Sequence, residues 1–337
     1  MPTTLKLLVE NLYFSEGPRW HNNKFWFSDF YQHAVFSVDS DGKLEKIVDI
    51  PNQPSGLGWL PNGDMLIVSM NDQKLMRFSD GVLSLHSDLS HLTQYTCNDM
   101  VVDKDGHAYI GNFGTTKHNI DVKPTCLIHV SPEGTASIVA DNLEFPNGTV
   151  ITPDGKKLIV GETYAGRLTS YDINPDKTLS NRKIWAQMMP TWIFYITKLR
   201  RFLKQVPKES SFPVRVPDGI CLDENMGIWV ASPTTYEVFR IEEGGNVTDI
   251  ISTPQRAYAC MLGGPEGKTL HISTANDASD ETLMGRLSIT AASIAKEKGF
   301  AEQGYRLVMN CNDDGGQTVS HIHLHCLGGR RMSWPPG

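Results

Sequence analysis

The sequence predicts an all-β architecture, a six-bladed β-propeller over residues 1–278, followed by a C-terminal α+β fragment over 279–337. Three observations carry this prediction. One short pattern recurs six times. The copies mostly start 39 to 49 residues apart, the length of four strands with their turns. Strand-forming residues flank tight-turn dipeptides inside the copies.

In chain order the copies read EGPRWHNNKFWFSD (16–29), SGLGWLPNGDMLIVS (55–69), NDMVVDKDGHAYIGN (98–112), NGTVITPDGKKLIVGE (147–162), DGICLDENMGIWVAS (218–232) and CMLGGPEGKTLHIST (260–274). Each is an apolar stretch, a polar turn and a second apolar stretch. The turns Asn62-Gly63, Asp105-Gly106 and Asp154-Gly155 consist of residues that tolerate positive φ. The flanks are short and rich in Val, Ile, Trp and Tyr, which suits strands. Further strand-like runs such as AVFSVDS, KLMRFSD, CLIHVSP, RLTSYDI and EVFRIEE follow the pairs and supply the outer strands of each blade.

One interval is longer, at 71 residues between Asn147 and Asp218. The excess lies in 187–213, where Trp192, Phe194, Tyr195, Leu199 and Phe202 mix with Lys198, Arg200, Arg201 and Lys204. This reads as a short amphipathic helix between prolines. A packing insert, a lid over the channel and a membrane-surface helix are the three roles open to it.

Composition narrows the partners. A net charge of −7 gives no basic patch for nucleic acid. No apolar run reaches the roughly 18 residues of a membrane span. Met1 to Glu10 lacks the pattern of a secretory leader. The cysteines, Cys97, Cys126, Cys221, Cys260, Cys311 and Cys326, form no CxxC pair. They read as reduced core thiols, which points to the cytoplasm.

The repeat places Glu16, Ser55, Asn98, Asn147, Asp218 and Cys260 in one register, each ten or eleven residues before the first apolar residue of its second strand. Equivalent positions at the start of innermost propeller strands meet around the central channel. The oxygen-bearing side chains of Glu16, Asn98, Asn147 and Asp218 are therefore expected to converge. Two carboxylates and two amides suit a hard cation such as calcium, magnesium or manganese better than zinc, which usually prefers nitrogen or sulfur. Asn-Gly and Asp-Gly are also common turn dipeptides, so Asn147 or Asp218 taken singly reads equally well as a turn residue. The shared register favours the cation.

At these residues a resemblance becomes specific. From about residue 7 to 277 the chain resembles the gluconolactonase / senescence marker protein / luciferin-regenerating enzyme family. The carrying motifs are Ser15-Glu16-Gly17-Pro18-Arg19-Trp20, Pro54-Ser55-Gly56-Leu57-Gly58-Trp59, Cys97-Asn98-Asp99-Met100, Phe145-Pro146-Asn147-Gly148 and Val216-Pro217-Asp218-Gly219. The resemblance implies metal ligation by Glu16, Asn147 and Asp218, substrate contact by Asn98, and hydrolysis of a small-molecule lactone with calcium or another divalent ion. Asp218 would be ligand and base. A related esterase or phosphotriesterase and a non-enzymatic calcium-binding propeller are the alternatives. Sugar-lactone members carry an arginine where this chain has Thr96, which points to a less polar lactone.

The segment Asp280 to Gly337 resembles the second half of a histidine-triad nucleotide-binding protein. It carries Gly304-Tyr305-Arg306-Leu307-Val308, Asp314-Gly315-Gly316-Gln317-Thr318, the triad His321-Ile322-His323-Leu324-His325, Leu327-Gly328-Gly329-Arg330 and Trp334-Pro335-Pro336-Gly337. The resemblance makes His323 the nucleophile and Asn310, Gln317 and Thr318 phosphate and ribose contacts. The first half of that domain is missing, which argues against independent phosphoramidase activity. A fragment that packs on the propeller, or a homodimer through this segment, is expected instead. Leu283, Leu287, Ala291 and Ile294 recur at helical spacing up to Lys298-Gly299. Gly285 to Ile289 therefore reads as helix rather than as a last propeller strand, at the cost of a strand in the sixth blade.

Overall fold

A computed structural model describes residues 5–116, 123–195, 214–275, 281–309 and 324–331. The chain forms two compact units, Met1–Ala275 and Asn276–Gly337.

The first unit is an all-β propeller. β1 (Ser15–His21), β2 (Lys24–Asp29), β3 (Ala34–Val38) and β4 (Leu44–Asp49) make the first four-stranded sheet. β5 (Pro54–Trp59), β6 (Met65–Ser69), β7 (Lys74–Ser79) and β8 (Val82–Asp88) make the second. The third holds β9 (Cys97–Val102), β10 (Ala108–Asn112), β11 (Thr125–Val130) and β12 (Ala136–Leu143). The fourth holds β13 (Pro146–Ile151), β14 (Lys157–Glu162), β15 (Arg167–Ile173) and β16 (Leu179–Gln187). The fifth holds β17 (Ile220–Leu222), β18 (Ile228–Ser232), β19 (Glu237–Ile241) and β20 (Val247–Ser252). β21 (Arg256–Gly263) and β22 (Thr269–Ala275) form a two-stranded sheet.

The strands within each sheet are antiparallel and lie in chain order, so the first strand of each is an edge. These first strands pack in succession, β1 on β5, β5 on β9, β9 on β13, β13 on β17, β17 on β21 and β21 back on β1. They form the inner circle. Apolar side chains fill the spaces between neighbouring sheets. Leu57 and Ile67 meet Val35 and Ile50, and Leu158 and Val160 meet Tyr109 and Leu127. Cys221 and Val238 meet Ala257 and Cys260.

Six blades were expected, the sixth short of a strand; five four-stranded sheets are present, and the sixth repeat yields only β21 and β22 among the described residues. The physical reason lies downstream. Gly285 to Ile289 fall inside helix α1 (Glu281–Glu297) of the second unit, so this stretch supplies no outer strand.

The predicted turns form, with one refinement. Gly63, Gly106 and Gly155 have φ of 93°, 91° and 69°, and each N–H donates to the carbonyl three residues back. Their partners Asn62, Asp105 and Asp154 keep negative φ and act through side chains, as in the Asn62 Oδ1 bond from Asp64 N at 3.2 Å. Glycine alone takes the left-handed position. Of the long insert, residues 191–195 are helical, with Trp192 and Tyr195 exposed, and 196–213 lie outside the described residues.

The second unit contains α1, β23 (Arg306–Val308) and β24 (His325–Leu327), the two strands pairing antiparallel. The helix ends as expected on Gly299, with φ of 77°. Its apolar stripe differs from the expected one. Ala291 and Ala295 are buried, while Ile294 is exposed. His325 opens β24; His321, His323, Asn310, Gln317 and Thr318 lie outside the described residues. No helix among the described residues is long and apolar enough to cross a membrane.

Candidate functional site

Four inner strands share one irregularity. Between Glu16 and Arg19, three residue steps on β1 face two on β2. The same extra residue occurs between Pro54 and Leu57 on β5, between Cys97 and Met100 on β9, and between Pro146 and Thr149 on β13. Each is a β-bulge at the register of the expected site residues, and bulges re-aim side chains. Asn147-Gly148 therefore lies within a bulged strand and makes no turn. Asp218 precedes β17, yet its N–H still bonds Ala231 O at 3.0 Å, so the ladder holds it too.

Glycine after the site residue lets neighbouring strands touch. A Cβ at Gly148 would sit 2.5 Å from Ile220 N and 2.6 Å from Asp218 O. At Gly17, with φ of 56°, it would sit 2.7 Å from Ser55 O. Gly148→Ala is expected to cost about 1–3 kcal/mol of stability through this overpacking. A lowered denaturation midpoint at unchanged slope checks it.

Three of the four residues expected to converge are joined directly, and Glu16 meets Asp218 only through charge repulsion. Asp218, Asn147, Asn98 and Ser55 form one hydrogen-bonded chain. Asn147 Nδ2 donates to Asp218 Oδ1 at 2.6 Å, and Asn98 Nδ2 donates to Asn147 Oδ1 at 3.0 Å. Ser55 Oγ donates to Asn98 Oδ1 at 3.4 Å. Glu16, Asn98, Asn147 and Asp218 are all at most 9% exposed. Cys260, sixth in the register, stands apart. Its thiol contacts Cys221 Sγ at 3.9 Å and the carbonyl of Gly219.

Electrostatics mark the carboxylates. Burial, and then the charges of Asp218 and Asp99, push Glu16 well above the usual carboxylate range. Burial pushes Asp218 up to about 7, against the bond from Asn147 and with the help of Asp99. Both groups resist ionising because burial and neighbouring acidic charge outweigh what opposes them, the Gly17 N–H and Arg19 at Glu16 and the Asn147 amide at Asp218. Glu162 makes the contrast. It is fully buried, but Arg167 at 2.9 Å and Arg182 at 3.2 Å pair with it. Thr169 Oγ1 and Glu144 N also donate to it. Burial raises its pKa, and these partners outweigh burial and leave it lowered.

Three partners were missed in the sequence reading. Asp99 is buried beside the site and paired with Arg19 at 2.8 Å. Burial raises its pKa and Arg19 opposes the rise. Thr163 Oγ1 accepts from Asn147 Nδ2 at 3.2 Å and donates to Pro217 O at 2.7 Å, which fixes the Asn147 amide beside Asp218. Asp99 directly follows Asn98 and Arg19 stands three residues after Glu16 in the same motifs, and that shared position is their signal in the sequence. Thr163 carries no such signal.

The donor set fits a hard cation. It offers two carboxylates and amide oxygens, and each buried carboxylate is in want of positive charge. Among the described residues no group of three or more His, Cys, Asp or Glu side chains gathers as a metal site, since half of this set is amide. Two cavities of about 470 and 320 Å³ lie elsewhere, the first lined by residues such as His91, Tyr95 and Asp141, the second by His21, Trp59 and Asp64.

A propeller with an acidic and amide cluster on its inner circle is the class these features define. The chain belongs to the SMP-30/Gluconolactonase/LRE-like family, whose pattern matches residues 14–276. Solved structures show the same fold. Regucalcin from Agrobacterium tumefaciens, described as a calcium-binding protein, superposes with a TM-score of 0.67 at 18% identity, covering 85% of this chain and 90% of that one. A gluconolactonase from Xanthomonas campestris gives 0.62 at 20% identity, covering 80% and 85%. A luciferin-regenerating enzyme gives 0.65 at 18%, covering 82% and 88%. Residues 267–332 match the HIT domain. Over 63 residues, 18% of this chain, the sequence is 56% identical to the purine nucleoside phosphoramidase of Escherichia coli K12. The chain spans 53% of that relative's length.

Proposed function

We propose that the propeller is a metal-dependent hydrolase that opens a lactone ring, with a divalent cation, calcium first, held by Glu16, Asn147 and Asp218. The carrying observation is the pair of buried carboxylates with raised pKa and no bonded cation, set beside two amides. When bound, the ion supplies Lewis-acid polarisation of the lactone carbonyl. The protein does the rest. Asp218 accepts the proton of the attacking water, a role that suits a group titrating near neutrality. Cation binding lowers its basicity, so its carboxylate serves the two roles in tension. Asn98 orients the substrate, and Thr163 holds the Asn147 amide in place. We read the ring as six-bladed, with β21 and β22 as a reduced sixth blade, and the protein as cytoplasmic.

The C-terminal unit supports no second activity in this reading. It matches about half the length of a phosphoramidase.

The deciding experiment is hydrolysis of a lactone panel, an aryl ester and a phosphotriester, with and without chelator. Lactone turnover that chelation removes and calcium restores is expected. Turnover indifferent to chelator would overturn the metal mechanism. Inactivity on every substrate would favour a calcium-binding propeller without chemistry.

A further inference from the structure

Two groups of aromatic rings stand at the same end of the inner strands as the site. Phe14, two residues before Glu16, packs against Phe30 at 5.3 Å, Tyr31 at 5.8 Å and Tyr258 at 4.6 Å. Tyr258 O accepts from Gly219 N at 2.8 Å, beside Asp218. In the second group, Phe145 packs against Phe113 at 4.7 Å and Tyr164 at 5.1 Å. Phe145 lies two residues before Asn147. Phe113 N bonds Thr96 O at 3.0 Å, two residues before Asn98. Tyr164 follows Thr163, which touches Asn147.

The first group belongs to the β21–β1 junction and the second to the β9–β13 junction. On an inner circle of six strands these junctions are three steps apart, hence across the channel from each other. Phe30 and Phe145 are buried and back the others, while Phe14, Tyr31, Phe113, Tyr164 and Tyr258 stay half-buried. The ring faces favour apolar matter, and the phenylalanines among them offer a hydroxylated ring no hydrogen bond in return for its lost hydration.

We propose that the site takes a hydrophobic lactone, one bearing an alkyl or aryl arm, and that this arm lies between the two aromatic groups. The inference rests on the lactone-hydrolase reading and names its substrate class. Each methylene placed between the rings is worth up to roughly fourfold in kcat/KM.

The test compares γ-butyrolactone with its propyl- and hexyl-substituted forms and with glucono-δ-lactone, on wild type, Phe113→Ala, Tyr258→Ala and the conservative Phe113→Leu. The hexyl compound is expected to exceed the unsubstituted ring by roughly tenfold or more. Phe113→Ala and Tyr258→Ala should reduce that ratio, and Phe113→Leu should restore most of it. A flat series, or a preference for the sugar lactone in protein that still needs calcium, overturns this inference and leaves the hydrolase reading standing. If no lactone is hydrolysed, calorimetry with a hexyl-substituted pyrrolidinone, the lactam counterpart, decides the matter separately. Saturable binding weakened by Phe113→Ala supports the apolar site while the hydrolase reading falls; absence of binding overturns the site.

Discussion

Asp218→Asn is expected to lower kcat/KM for lactone hydrolysis by about a thousandfold or more. In the proposed mechanism the substitution removes one of two negative charges that would hold the cation, and the carboxylate that would accept the proton. It keeps the size of the side chain and its place next to Asn147, so the protein should remain folded. Glu16→Gln removes a charge alone and should be rescued in part by raising the calcium concentration. Glu162→Ala is the control for a buried carboxylate with a structural part. It strands Arg167 and Arg182 and is expected to cost about 3 kcal/mol of stability. Steady-state kinetics over a calcium titration, with a denaturation curve for each variant, separate these outcomes. An Asp218→Asn protein that retains wild-type turnover would remove Asp218 from the mechanism.

The second large effect concerns pH and calcium together. In the unfolded chain Asp218 and Glu16 ionise near their ordinary values of about 4. In the folded, chelated protein Asp218 keeps its proton to about 7, and Glu16 is also pushed up. Over that window the folded state binds more protons than the unfolded one. Stability therefore falls as pH rises from about 4 toward 7, and levels off above. Calcium reverses the trend because it needs both groups ionised. Calcium at 100 times its dissociation constant contributes about 2.7 kcal/mol, or roughly 5–10 °C in Tm for a unit of this size. The expected result is a Tm of the chelated protein that declines from pH 5 to pH 8. The calcium-induced rise should grow over the same range, and both effects should be blunted in Asp218→Asn. An unchanged Tm on adding calcium at pH 8 would contradict the cation site.

Much of this centre is legible in the sequence because the repeat fixes a register and the propeller turns register into proximity. Glu16 and Asp218 are 202 residues apart in the chain, yet they share a position in the repeat and a mutual charge repulsion in the fold. Interactions that depend on side-chain reach across blades were not legible. Arg19 meets Asp99 from the first inner strand to the third, a pairing no spacing announces. Thr163 reaches Asn147 from a single helical turn after β14. The shortened sixth blade was legible in part. A strand pattern and a helix pattern competed for Gly285 to Ile289, and the helix prevailed because its apolar positions continue to Ala291 and Ala295.

The bulge that recurs on β1, β5, β9 and β13 makes each of these four inner strands an independent socket. The extra residue is a property of the backbone, and the side chain it presents can change without disturbing the ladder behind it. Ser55 already occupies one socket with a group that brings no charge. The ring thus separates the scaffold from the side chains it presents. Insertion or deletion of a single residue there would instead reverse the alternation of the strand and turn its socket away from the channel.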